Sequence, residues 1–151
     1  MGHIVRTVKL QATACCLWNH QAEHGSVAIF FGHQGFDASP MHAAVANGAK
    51  GLIVMGPGAA SLRPGAREAA AELFKKGIPT VAVARPTTGT GVSSISPGPV
   101  FFSSYVGAEQ ARVMLRLAIN AGLSPSEIRD LFETPLREAV YAPWANQLAY
   151  Y

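Results

Sequence analysis

Three short apolar runs, each set off by glycine, constrain this chain more than any other feature. Ser26-Val-Ala-Ile-Phe-Phe31 and Gly51-Leu-Ile-Val-Met55 are apolar runs, and Ile78 to Ala84 is apolar apart from Thr80. Such runs are too short for buried helices and do not alternate, so they suit strands covered on both faces. Between the first two, Gly32, Gly35, Asp37 and Pro40 punctuate a turn. Ser39 as N-cap and Pro40 at the first helical position open a short helix over Met41 to Asn47, closed by Gly48. After the second run Gly56-Pro57-Gly58 reads as a loop. Ala66 to Lys76 then reads as an alanine-rich helix whose final lysines suit the negative end of its dipole, and Gly77 stops it. Residues 85–99 are rich in Pro, Gly and Thr and read as a long loop before a short fourth strand, Val100-Phe101-Phe102.

The second half is helical in pattern. Ala111, Leu115 and Ala118 form the apolar stripe of a helix over Gly107 to Ala121, closed by Gly122. Ser124-Pro-Ser-Glu127 is a capping box that opens a helix with Ile128, Leu131 and Phe132 on one face, ended by Pro135. Short apolar strands alternating with helices predict an α/β fold in three layers. Its sheet is mostly parallel, of about four short strands, with helices on both faces. Residues 1–25 form a lead-in without a clear period, and 134–151 an aromatic tail with Tyr141, Trp144, Tyr150 and Tyr151.

Composition narrows the function classes. The chain has 151 residues, 49% of them hydrophobic and 14% charged, so it is not an intrinsically disordered polymer. A single domain of that length buries a proper core, hiding roughly 68–70% of its extended surface. Twelve basic against nine acidic residues leave +3, with no basic run beyond Lys75-Lys76, which is no footprint for nucleic acid. Nothing approaches 18 consecutive apolar residues, so no membrane span is expected. The first 24 residues lack a secretory apolar core, which leans toward the cytoplasm.

Ligands of parallel sheets bind at the carboxyl ends of the strands. Those ends are the Gly32–Asp37, Gly56–Arg63 and Arg85–Gly98 loops. Gly56-Pro-Gly-Ala-Ala-Ser61 can present backbone N–H groups to an anion, or it is a plain tight turn. It has neither the third glycine of a dinucleotide fingerprint nor a Gly-Lys-Ser/Thr phosphate loop. Arg85-Pro-Thr-Thr-Gly-Thr-Gly91 offers hydroxyls but no visible base to activate one. Gly56, Gly58, Ser61 and Arg85 are thus the candidates for substrate binding or for an inter-subunit loop, and no catalytic residue is assigned. Cys16, His20 and His24 recur every four residues. On a helix they would span about 12 Å, too far for one ion, so neither a metal nor any other cofactor is expected. His33 near Asp37 could do acid–base work, yet reads more simply as a loop histidine. Glu68, Glu72, Glu127, Asp130 and Glu133 read as solvated helix faces.

The order of the motifs goes further. Phe31-Gly-His-Gln-Gly-Phe-Asp37, Gly48-Ala-Lys-Gly-Leu-Ile-Val-Met-Gly-Pro-Gly58, Gly77-Ile-Pro-Thr-Val-Ala-Val-Ala-Arg85, Ala111-Arg-Val-Met-Leu-Arg-Leu-Ala118 and Glu127-Ile to Phe132 follow one another in order and near a family's spacing, with the stretch from Arg85 to Ala111 a few residues short of it. Together they resemble the C-terminal domain of the L-asparaginases of the asparaginase/glutaminase family, over residues 26–133. The resemblance implies an amidohydrolase that releases ammonia from asparagine or glutamine, with two α/β domains. In that family a threonine nucleophile and a Thr-Asp-Lys group sit in the N-terminal domain. The C-terminal domain packs on a neighbouring subunit and lends it an Asn and an acidic residue. Here the family loop Gly-x-Gly-Asn-Gly-Asn reads Gly56-Pro-Gly-Ala-Ala-Ser61, so the donated Asn falls on Ala59. No acid precedes Glu109 in the next connection. Neither N-terminal motif is present, and Thr87-Thr-Gly-Thr90 stands in the wrong place.

The expectation is an asparaginase-like scaffold half, inactive alone. Its partners would be a small amide or amino-acid substrate, and either further copies of itself or a separate N-terminal catalytic half. The competing readings are a small-molecule binding module that kept the sheet and lost the reaction, and a plain protein-interaction module.

Overall fold

The computed structural model describes residues 26–86, 98–103 and 106–133. The lead-in, the aromatic tail, the spaced Cys16, His20 and His24, Pro135 and most of the loop after Arg85 lie outside that set. Strands β1 (Ser26–Phe31), β2 (Ala49–Gly56), β3 (Thr80–Ala84) and β4 (Val100–Phe102) lie side by side in that order, every neighbouring pair parallel. Helices α1 (Ser39–Ala46), α2 (Pro57–Ala60), α3 (Pro64–Lys75) and α4 (Ala108–Asn120) connect or follow them, and residues 125–133 form α5.

The apolar run of β2 has a simple cause. Alternate residues of β2 point to opposite faces. Leu52 and Val54 meet Met41 of α1 and Ala66, Ala69, Ala70 and Leu73 of α3. Ile53 meets Ala111, Leu115 and Ala118 of α4 and Ile128 and Phe132 of α5. Both faces of the central strand β2 are dry from Leu52 to Val54, whereas on β1 Ile29 and Phe31 stay exposed, so the expectation of cover on both faces fails for that run. The three-layer α/β architecture is as the pattern predicts.

Element ends show which local signals carried weight. Strand β3 starts two residues later than the apolar run, because Ile78 still belongs to the end of α3. Its N–H reaches back to the Leu73 carbonyl at 3.0 Å, beside Gly77 N–H on Phe74 at 2.9 Å, with Gly77 at φ +79°. That double bond is the Schellman closure, and it needs a residue at ease with positive φ. The capping box also forms. Ser124 N–H and Oγ–H both donate to Glu127 Oε2 at 2.8 and 2.7 Å, and Glu127 N–H donates to Ser124 Oγ at 3.3 Å.

Three expectations need correction. Ser39 is not the cap of α1: Ala38 holds that position without a side-chain bond, and Ser39 is already helical. The preceding Asp37 does the work, its Oδ1 accepting the Ser39 N–H at 2.7 Å and the Ser39 hydroxyl. Those two bonds, the hydroxyl's first, hold the Asp37 carboxyl below its ordinary value of 3.8. Pro57 and Gly58 are not open loop but part of α2, a short helical turn with irregular backbone at Gly58 and Ala59. Glu133 is no solvated residue. It is 5% exposed, and its Oε1 accepts the Phe102 N–H at 3.1 Å.

That last bond lies on an open rim of the sheet. In a strand, the N–H and C=O of successive residues point to opposite sides. Ser103 N–H bonds Ala82 at 2.8 Å, so Phe102 one residue earlier faces away from β3. Likewise Gly32 N–H bonds Met55 at 2.8 Å, so odd-numbered residues of β1 face away from β2. One of them, Val27, has its carbonyl occupied by Arg112 Nε at 3.0 Å. Each rim of the sheet is thus met at one rung by a side chain from the helical layer.

Candidate functional site

The connections that leave the carboxyl ends of β1, β2 and β3 surround a cleft of about 620 Å³. That is within the range of small-molecule sites, about 300–1,000 Å³. Val54, fully buried, forms its floor. His33 and Gln34 stand on the β1 side, Ser61 and Arg63 on the β2 side, and Arg85 at the end of β3. Of the four residues singled out in the sequence, Ser61 and Arg85 line this cleft and Gly56 and Gly58 do not.

Gly56 has a structural reason to be glycine. The chain folds back so tightly after β2 that a Cβ on Gly56 would lie 2.5 Å from the Ser61 carbonyl oxygen and 2.7 Å from the Ala60 carbonyl carbon. The fold-back is held by Ser61 N–H on the Pro57 carbonyl at 3.1 Å and by Arg85 N–H on the Gly56 carbonyl at 2.9 Å. Within it Gly58 takes φ +55°, and Ala60, fully buried, takes φ +63°. Ala60 stands at the last glycine of the Gly-x-Gly-Asn-Gly-Asn pattern, and a left-handed backbone is costly for a residue with a Cβ.

Arg85 is positioned from both ends. Its backbone is tied to Gly56, and its guanidinium lies 5.6 Å from the centre of the half-exposed Phe31 ring, close enough for cation–π attraction. His33 is also fixed: its Nδ1 accepts the Gly35 N–H at 3.2 Å, and its ring meets the Phe36 edge at 5.9 Å. With Nδ1 accepting, the neutral imidazole carries its proton on Nε2 and offers a donor. No hydrogen bond joins His33 to Asp37, whose carboxylate is committed to Ser39. Nor does one join His33 to the Ser61 hydroxyl, so the acid–base reading of His33 gains no partner in the described residues.

The cleft can bind but has little to react with. Among the described residues its polar lining comes from Arg63, Arg85, His33, Gln34 and Ser61, with no Asp or Glu. Arg63 was missed in the sequence because only its place before Pro64 marked it, although it ends one of the loops at the strand termini. Among the described residues no group of three His, Cys, Asp or Glu side chains could hold a metal ion, and no helix is long and apolar enough to cross a membrane.

Comparison with known proteins places this geometry. "Probable L-asparaginase 3" of Schizosaccharomyces pombe is 36% identical over 115 residues, covering 76% of this chain and 31% of that protein. L-asparaginase 2 of Bacillus subtilis is 32% identical over 110 residues, covering 70% of this chain and 29% of that protein. The crystal structure of the "Probable Cytoplasmic L-asparaginase" from Campylobacter jejuni superposes with a TM-score of 0.66 at 28% identity, over 71% of this chain and 34% of that one. The chain therefore spans about a third of the length of the relatives it matches. The Glutaminase/Asparaginase C-terminal domain model matches residues 26–132, the stretch that carries all four strands and the cleft, and the chain belongs to that family.

Proposed function

We propose that this chain is the assembling and substrate-completing half of an asparaginase-type amidohydrolase, and that it turns over no amide by itself. The observation that carries this reading is the cleft at the strand ends, which among the described residues gathers groups for binding without a joined nucleophile and base. Hydrolysis of an amide needs a nucleophile within hydrogen-bond reach of a base, and a charge-stabilising group at the developing oxyanion. In this reading those groups come from a separate N-terminal half. The β2–α3 fold-back faces that half, with Ala59 supplying shape where the family pattern has a polar side chain.

Two measurements test it on the purified chain. Ammonia release from asparagine and from glutamine is expected to stay at the buffer blank, and turnover above it overturns the inactive half. Gel filtration is expected to give an assembly larger than the monomer. A clean monomer that also fails to associate with the N-terminal two thirds of the Bacillus subtilis relative argues against an assembling role.

A further inference from the structure

A second property follows from the charge on the cleft and does not depend on amide turnover. Arg63 and Arg85 line one concave space together with His33 and Gln34, two residues able to donate hydrogen bonds. Neither arginine has an ion pair among the described residues. The acids of α3, Glu68 and Glu72, are exposed and do not line the cleft. Among the described residues no carboxylate lines this space beside the two cations, so both attract an anion that enters it.

We infer that this cleft binds a small oxyanion-bearing molecule, a carboxylate or a phosphate, between Arg63 and Arg85. The planar fork of a guanidinium matches both oxyanions with paired hydrogen bonds, which a lysine ammonium does not. Arg85 is already held by Gly56 and Phe31, so little side-chain freedom is lost on binding. The 620 Å³ volume suits a metabolite-sized ligand. The net charge of +3 and the lack of a basic run argue against a nucleic-acid backbone as the source of the phosphate.

The test uses the full chain in a buffer free of carboxylate and phosphate, with ionic strength held constant by sodium chloride. Succinate and inorganic phosphate are titrated separately by calorimetry, with thermal melts in parallel. At least one probe is expected to bind saturably and to raise the melting temperature, and the better probe identifies the oxyanion. Arg63→Gln and Arg85→Gln are each expected to weaken that binding at least tenfold. Lys75→Gln, at the far end of α3, leaves it unchanged. Both arginines are exposed, so the variants stay folded, and circular dichroism verifies this. No saturable binding of either probe overturns the inference, and so does full-strength binding in either arginine variant. Ammonia release reads the amide proposal separately, so the two fail independently.

Discussion

Substituting Gly56 by alanine isolates one physical effect. The Gly56 backbone sits at φ −97°, ψ 154°, which alanine adopts without strain. The change even removes some freedom from the unfolded chain, a gain of about 0.4–1 kcal/mol. Against it stands a collision: the new methyl meets the Ser61 carbonyl oxygen at 2.5 Å, the Ala60 carbonyl carbon at 2.7 Å and the Ser61 nitrogen at 2.9 Å. All three are backbone atoms, and none can rotate away. Overpacking costs typically 1–3 kcal/mol, and an immovable partner puts Gly56→Ala at the upper end, about 3 kcal/mol. Gly51→Ala is the control. Its methyl also falls within 3 Å of two atoms, Ile119 Cδ1 at 2.8 Å and Leu115 Cδ2 at 2.9 Å, but both are side-chain tips. A rotamer adjustment relieves them, so that loss is about 1 kcal/mol. Urea unfolding followed by circular dichroism compares the two at constant m-value. If Gly56→Ala unfolds within about 0.5 kcal/mol of the parent, or Gly51→Ala loses more than it does, the close approach described for the fold-back is wrong.

Other perturbations test separate points. Thr80 is fully buried and its Oγ1 has no hydrogen-bond partner among the described residues, so Thr80→Val is expected to raise the urea midpoint, by about 1 kcal/mol of stability; a lower midpoint would reveal a missed partner. Ala60→Gly relieves the left-handed strain, about 1–2 kcal/mol, but deletes a buried methyl, about 0.8 kcal/mol, and loosens the unfolded chain. Its stability should therefore stay within about 1 kcal/mol of the parent, while Ala60→Val, β-branched and overpacked, loses more than about 2 kcal/mol. Glu127 is held below its ordinary value of 4.5 first by the Ser124 hydroxyl and then by the Ser124 N–H. A depressed carboxyl favours the fold above its unfolded pKa, and that share is lost as pH falls through the folded one. Glu127→Gln is therefore expected to flatten the acid limb of a stability–pH curve below about pH 4.5, and an unchanged limb in the variant counts against the capping bond.

The layers were readable because both faces of the two central strands are dry: Leu52, Ile53, Val54 and the Val81 to Val83 stretch had no alternation to hide in. The capping box at Ser124 was readable because all its atoms lie within four residues of chain. What the letters concealed was decided across distance. Glu133 has the look of an exposed helix acid, and only the return of α5 to Phe102, 31 residues away in sequence, makes it buried. Ser39 and Asp37 both suit a helix start, and the choice between them depends on how the loop from His33 arrives. The cleft was legible as a location, from the rule that ligands seek strand ends. Its charge was not, because Arg63 and Arg85 come to line one cleft only after the chain has crossed α3 and β3.

The side chains that meet the two rims of the sheet also govern how this protein can join others. A strand offered by another chain, even a misfolded copy, finds the β1 rim blocked at Val27 by Arg112 and the β4 rim blocked at Phe102 by Glu133. Zipping along either would first require a charged group to be stripped from its place, a penalty that open-ended ribbons pay at every step. Strand addition is thus disfavoured at one rung of each border among the described residues.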